Sequence, residues 1–206
     1  MTTFYIPVIL GSTRRGRQSP KVARFIAERM RRSEKIETEI LDLLEYDFPM
    51  MEERLRLRDD PPPRLREFAE KISRAGAVVI VSPEYNSGYP GVLKNALDYL
   101  LPEFKRKPVG IVTVSGGSFG GQSCLAQLRL VTLGLGAFPI PAGLPVSRVE
   151  DTFDEAGNPR DPAYEKRAES FLSELLWFTQ AVAAQKALEA HPTAASPPGL
   201  PARPPG

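Results

Sequence analysis

Ala77-Val78-Val79-Ile80-Val81, running into Ser82-Pro83-Glu84-Tyr85-Asn86-Ser87-Gly88-Tyr89-Pro90-Gly91, is the stretch on which the fold turns. Five consecutive apolar residues, mostly β-branched, read as a strand buried on both faces. A strand covered on both sides belongs to a parallel sheet with helices on each face. The Pro- and Gly-rich segment that follows is a shaped loop. Pro90 opens a helix whose apolar side carries Val92, Leu93, Ala96, Leu97 and Leu100.

The same alternation extends in both directions. Phe4 to Leu10 is an apolar run ending at Gly11 and reads as the first strand. Ser19-Pro20 reads as an N-cap and first helical residue, with Val22, Phe25, Ile26 and Met30 on one face of the helix. Ile36 to Leu43 reads as the second strand, and residues 44–63 as a polar, irregular connection. Leu65, Phe68, Ala69 and Ile72 mark another helix. Val109 to Val114 is the fourth strand, Gly121 to Leu133 a helix, and Gly136 to Val146 holds a fifth strand interrupted by Pro139 and Pro141. Asp161-Pro162 starts the last helix, which runs to about Leu188.

Strands alternating with helices predict an α/β fold: a doubly wound, five-stranded parallel sheet with helices on both faces. Counting strands along the chain, the expected order is 2-1-3-4-5. Ligands of such sheets sit beyond the carboxyl ends of the strands, at the switch point beside strands one and three. Three loops leave those ends: Gly11 to Ser19, Ser82 to Tyr89, and Ser115 to Gly120. Residues 1–190 read as a single domain. Residues 191–206, rich in Pro and Ala and poor in core residues, read as a disordered tail.

The first loop, Gly11-Ser12-Thr13-Arg14-Arg15-Gly16-Arg17-Gln18-Ser19, holds hydroxyls and three arginines, and no acid follows until Glu28. The helix start beyond it offers free N–H groups and a partial positive charge. That combination binds a phosphate dianion without a metal. Gly11 and Gly16 also have the spacing of a Walker A loop, but Arg17-Gln18 stands where Lys-Ser/Thr is required.

Pro83-Glu84-Tyr85-Asn86, followed by Pro90-Gly91-Val92-Leu93-Lys94-Asn95-Ala96-Leu97-Asp98, closely resembles the signature of the NADPH-dependent FMN reductase family. Related quinone, azo-dye and chromate reductases share that signature. Gly11-Ser12-Thr13-Arg14 resembles the same family's phosphate loop, and the resemblance covers roughly residues 4 to 185 in element order. It implies a flavodoxin-like fold that binds FMN. By that resemblance Ser12, Arg14, Arg17, Gln18 and Ser19 hold the FMN phosphate. Pro83, Glu84, Tyr85 and Asn86, with Ser87 and Gly88, line the flavin ring. Many relatives have Gly-Ser after the asparagine, whereas Ser87-Gly88 stands here. Ser115, Gly116, Gly117 and Gly120 of the third loop are expected on the pyrimidine side of the ring. A homodimer or homotetramer is implied by the same resemblance.

The third loop also matches Gly-x-Ser-x-Gly through Gly116, Ser118 and Gly120, in the strand-to-helix context of a hydrolase nucleophile. The chain order permits Ser118, then Asp151 or Asp154, then His191. His191 lies past the last helix, in the Pro-rich tail, where a base is hard to hold in place.

Composition narrows the classes further. A net charge of +2 over 206 residues argues against a large nucleic-acid footprint. One cysteine and one histidine exclude an intrachain disulfide and a paired Cys/His zinc site. No apolar run reaches membrane-spanning length. Met1 to Leu10 lacks a basic n-region and cleavage site, so the expectation is a cytoplasmic protein. The resemblance implies FMN as cofactor and NADPH or NADH as co-substrate, with two electrons passed to a small-molecule acceptor. Because the cofactor carries such chemistry, no catalytic side chain is required. A flavodoxin-type electron carrier, or a flavin-binding module without turnover, is the alternative.

Overall fold

The computed structural model describes residues 2–190. The expected tail, 191–206, and His191 with it, lies outside the described residues. The expected first strand is present as two segments, β1 (Phe4–Tyr5) and β2 (Val8–Leu10), and the second as β3 (Ile36–Glu37) and β4 (Ile40–Asp42). Pro7 sits at the break, and proline has no N–H for the ladder. The pairing is nonetheless kept up across it: Ile6 N donates to Glu37 O at 2.9 Å and Val8 N to Glu39 O at 2.9 Å. The Thr38 hydroxyl donates to Ile6 O at 2.7 Å.

Strands β5 (Val78–Pro83), β6 (Pro108–Val114) and β7 (Phe138–Val146) complete the sheet. Its order is β4-β2-β5-β6-β7, with every pairing parallel. Numbered as expected strands, this is 2-1-3-4-5. β7 runs on through Pro139 and Pro141, where the sequence predicts interruptions, but its register against β6 shifts there: Val109 faces Pro139 and Ile111 faces Gly143. It pairs on one side only, and an edge strand tolerates prolines and bulges.

The helices are α1 (Ser19–Arg31), α2 (Leu43–Tyr46), α3 (Leu65–Arg74), α4 (Gly91–Asp98), α5 (Gln122–Gly134), α6 (Val149–Thr152) and α7 (Ala163–Ala190). Two of them were not expected. α2 begins at Leu43, assigned above to the second strand. Its start is set by Asp42, whose carboxylate accepts from Leu44 N at 3.0 Å. α6 follows β7 directly.

Alternation along β5 divides the core. Val78 and Ile80 pack with Phe68, Ile72, Leu93, Leu97 and Leu128 from α3, α4 and α5. Val79 and Val81 pack with Phe25, Ile26, Phe171 and Leu175 from α1 and α7. Each such fully buried side chain contributes about 1.5–3 kcal/mol. Gly110 lets α7 approach β6 closely, because a Cβ there would lie 2.6 Å from the Phe171 ring. Among the described residues, no helix is long and apolar enough to cross a membrane.

Candidate flavin site

The three loops meet at the carboxyl ends of β2, β5 and β6, around a cavity of about 200 Å³. Arg14, Gly16, Arg17, Gln18 and Ser19 line it from the first loop, and Pro83, Glu84 and Tyr85 from the second. Val114, Ser115 and Gly116 line it from the third, and Val149 and Glu150 of α6 close it. Nine of the fifteen expected site residues therefore share one cavity: Arg14, Arg17, Gln18, Ser19, Pro83, Glu84, Tyr85, Ser115 and Gly116.

At the base of this cavity α1 starts without a side-chain cap. Gln18, not Ser19, occupies the cap position, and its side chain makes no capping bond. No acid lies in the first turn. Ser19 Oγ and Gln18 Oε1 are buried without a hydrogen-bond partner among the described residues. Unpartnered buried polar atoms are costly unless a ligand or water completes them. The helix start adds a partial positive charge at the same place.

Arg17 is placed differently from the expectation that it holds phosphate. Its guanidinium makes a two-pronged pair with Asp42, at 2.6 Å on each side, and also donates to Ser12 O. It stiffens the first loop against the end of β4, and both of its terminal nitrogens are already engaged. Ser12 is fully buried and does not line the cavity. Its hydroxyl shares a 2.8 Å hydrogen bond with Tyr85 OH and so ties loop one to loop two. The Arg14 guanidinium stands 5.9 Å from the centre of the Tyr85 ring.

Glu84 also acts structurally. Its carboxylate accepts from Cys124 N at 2.9 Å, capping the start of α5 from a different loop. Cys124 is buried beneath it, and burial pushes its thiol up to about 11, so it stays protonated at neutral pH.

Asn86, Ser87 and Gly88 lie outside the cavity lining and form the tip of a tight turn. Tyr85 N donates to Gly88 O at 2.8 Å and Gly88 N returns to Tyr85 O at 3.0 Å. Both central residues are left-handed, Asn86 at φ 50 and Ser87 at φ 63, as a type I′ turn requires. Asparagine accepts that conformation and serine resists it. Ser87→Gly is therefore expected to stabilise the protein by about 0.5–1 kcal/mol. Urea denaturation checks this, and an unchanged midpoint would show that the turn relieves the strain elsewhere.

Gly117 and Gly120 likewise do not line the cavity. Gly120 has φ +64, and a Cβ there would lie 2.9 Å from Pro145, so its need is packing against β7. Ser118 accepts from Arg148 at 3.3 Å. That partner is a donor, and a nucleophile needs an acceptor in that position. Lys94 and Asp98 form an ordinary helix ion pair at 2.7 Å.

Val149 and Glu150 were missed from the sequence. They follow β7 as Ser115 follows β6, so the carboxyl end of the fifth strand was the available signal. Larger grooves exist, including one of about 580 Å³ between α1 and α7. There Arg29 is already paired with Glu165, and no buried polar side-chain atom is left unpartnered.

Comparison with known proteins identifies the family. The chain is 34% identical over 160 residues to an NAD(P)H-dependent FMN reductase of Schizosaccharomyces pombe, spanning 76% of this chain and 74% of that one. It is 28% identical over 179 residues to an FMN-dependent NADPH-azoreductase of Staphylococcus aureus, spanning 83% and 93%. Among solved structures, the flavoenzyme NAD(P)H:(acceptor) oxidoreductase FerB from Paracoccus denitrificans superposes with a TM-score of 0.69 at 22% identity, covering 88% and 98%. That likeness supports the flavodoxin-like fold. The sequence model of the NADPH-dependent FMN reductase family matches residues 5–151, and with the relative at 34% identity this places the chain in that family.

Proposed function

We propose that this chain binds FMN with the phosphate at the start of α1, and passes two electrons from NADPH or NADH to a small acceptor. The observation that carries this reading is the buried, unpartnered Ser19 hydroxyl, beside the unpartnered Gln18 Oε1, at an uncapped helix start inside the three-loop cavity. The residues fit the group. The Ser19 hydroxyl donates to a phosphate oxygen, while the Gln18 amide already gives its N–H₂ to Gly16 O at 3.4 Å. Arg14 supplies charge. A volume of about 200 Å³ suits a phosphate-bearing tail and is below the usual range for a whole cofactor pocket.

The second loop would present Tyr85 to the flavin, held by Ser12, and the third would present Ser115 and the Gly116 backbone. FMN supplies hydride acceptance and release at its ring. The protein's part is to orient and to donate hydrogen bonds. Glu84 and Cys124 are committed to capping and core, which leaves no proton transfer for them to perform. The acceptor is proposed to be a flavin, quinone, azo compound or metal ion. α5 leaves Leu130 and Leu133 exposed, in keeping with a homo-oligomer.

The test is an FMN titration followed in the visible spectrum, then steady-state NADPH oxidation with a quinone or ferricyanide. A yellow protein with turnover is expected. Flavin binding without turnover would favour an electron carrier, and a protein that never takes up FMN would overturn the reading.

A further inference from the structure

Beside the flavin cavity, sharing Arg14, Gly16 and Arg17 with its lining, lies a second groove of about 520 Å³. Its remaining lining is Thr13, Arg15, Pro20, Lys21, Arg24, Leu44 and Glu155. Five cations therefore surround one carboxylate. Lys21 is bound to Glu155 at 2.7 Å, and Arg17 is neutralised by Asp42. Arg24 donates to the backbone Glu155 O at 3.0 Å, so its charge is not cancelled by that bond. Arg15 is exposed and makes no hydrogen bond or ion pair among the described residues. Lys21 is buried at the floor, and Arg14, Arg15 and Arg24 leave positive charge at the exposed rim, where Glu155 also stands.

We propose that this groove seats the 2′-phosphate of NADPH, and that Arg15 and Arg24 select NADPH over NADH. The proposal rests on the flavin reading above, in which a nicotinamide dinucleotide meets FMN in the adjoining cavity. A dinucleotide whose nicotinamide meets the ring of that flavin has its adenosine end free to lie in the groove beside the phosphate loop. A phosphate monoester is close to a dianion at neutral pH, and guanidinium groups match its oxygens with forked donors. NADH carries a hydroxyl at that position and gains little from the same cations. The pyrophosphate is common to both dinucleotides and cannot discriminate between them.

The test uses the FMN-loaded protein and two nucleotides of equal phosphate count, 2′,5′-ADP and 5′-ADP. Calorimetry is expected to show 2′,5′-ADP bound about tenfold more tightly. In the double variant Arg15→Ala/Arg24→Ala that ratio is expected to fall to near one. kcat/KM is expected to drop about tenfold with NADPH and to change less than about twofold with NADH. FMN affinity, read by quenching of flavin fluorescence, is expected to stay the same, because neither arginine lines the flavin cavity. Equal binding of the two nucleotides to the wild type overturns the proposal, as does a preference that survives in the variant. Those outcomes leave the flavin reading standing. Failure of the wild type to bind FMN would instead remove that reading and this proposal together.

Discussion

Ser19→Asp is expected to abolish FMN binding while leaving the fold intact. Ser19 is 1% exposed and opens α1, where neither its hydroxyl nor the Gln18 Oε1 has a partner. A carboxylate at this point occupies the anion site with a charge of its own. The positive end of the helix offsets part of the cost of burying that charge, so the unliganded protein should stay folded and melt somewhat lower than the wild type. A phosphate dianion brought beside it meets repulsion of several kcal/mol, even at an effective dielectric of about 20. The dissociation constant should rise at least about a hundredfold. Ser19→Ala removes a donor without adding charge, and should weaken binding only about tenfold. Flavin fluorescence titration of both variants, with melting curves of the apo-proteins, checks the pair. A yellow Ser19→Asp protein of wild-type affinity would place the phosphate elsewhere.

The second large effect is on stability. Lys107 is 5% exposed, and its ammonium donates to Ser73 O at 2.8 Å and Ala75 O at 2.7 Å. It closes the carboxyl end of α3 from the start of β6, where free carbonyls and the negative end of the helix favour a cation. Lys107→Met fits the apolar stem but leaves both carbonyls without a donor. The expected loss is about 2–4 kcal/mol in urea unfolding, with FMN affinity unchanged. Burial, with some repulsion from Lys186, pulls the amine down from its ordinary 10.5 to about 8. Between those two values the unfolded chain holds more protons at this residue than the folded one. Its contribution therefore makes stability rise with pH from about 8 to 10.5. The neutral amine keeps two N–H donors, so both bonds survive deprotonation. Lys107→Met should remove that rise, and unfolding free energies at pH 7.5 and 10 would show it.

Neither effect was legible to the same degree in the sequence. Ser19 stood out because the residue types around it are local signals: small hydroxyls, arginines, a proline and no acid. Lys107 carried no signal, since a lysine before a proline reads as an ordinary surface residue. Its importance comes from carbonyls 32 and 34 positions away. The fifth strand shows the same limit in the backbone. Two prolines suggest a break, and the structure carries the strand through them with a shift of register that an edge strand tolerates.

The sequence by itself determined the five strands, their order, the three loops at their carboxyl ends and the family signature. The strands, loops and signature follow from patterns within a few residues, and the order follows from the topology rules for alternating strands and helices. The tertiary structure decided which side chains remain free to meet a ligand. Arg17 was drawn to Asp42, 25 positions on, and Glu84 to the backbone of Cys124, 40 positions on. Ser12 was drawn to Tyr85, 73 positions away. The charge and shape of a side chain are local properties. Whether a partner already satisfies it depends on which distant segments the fold brings within 3 Å, and the sequence pattern does not encode that distance.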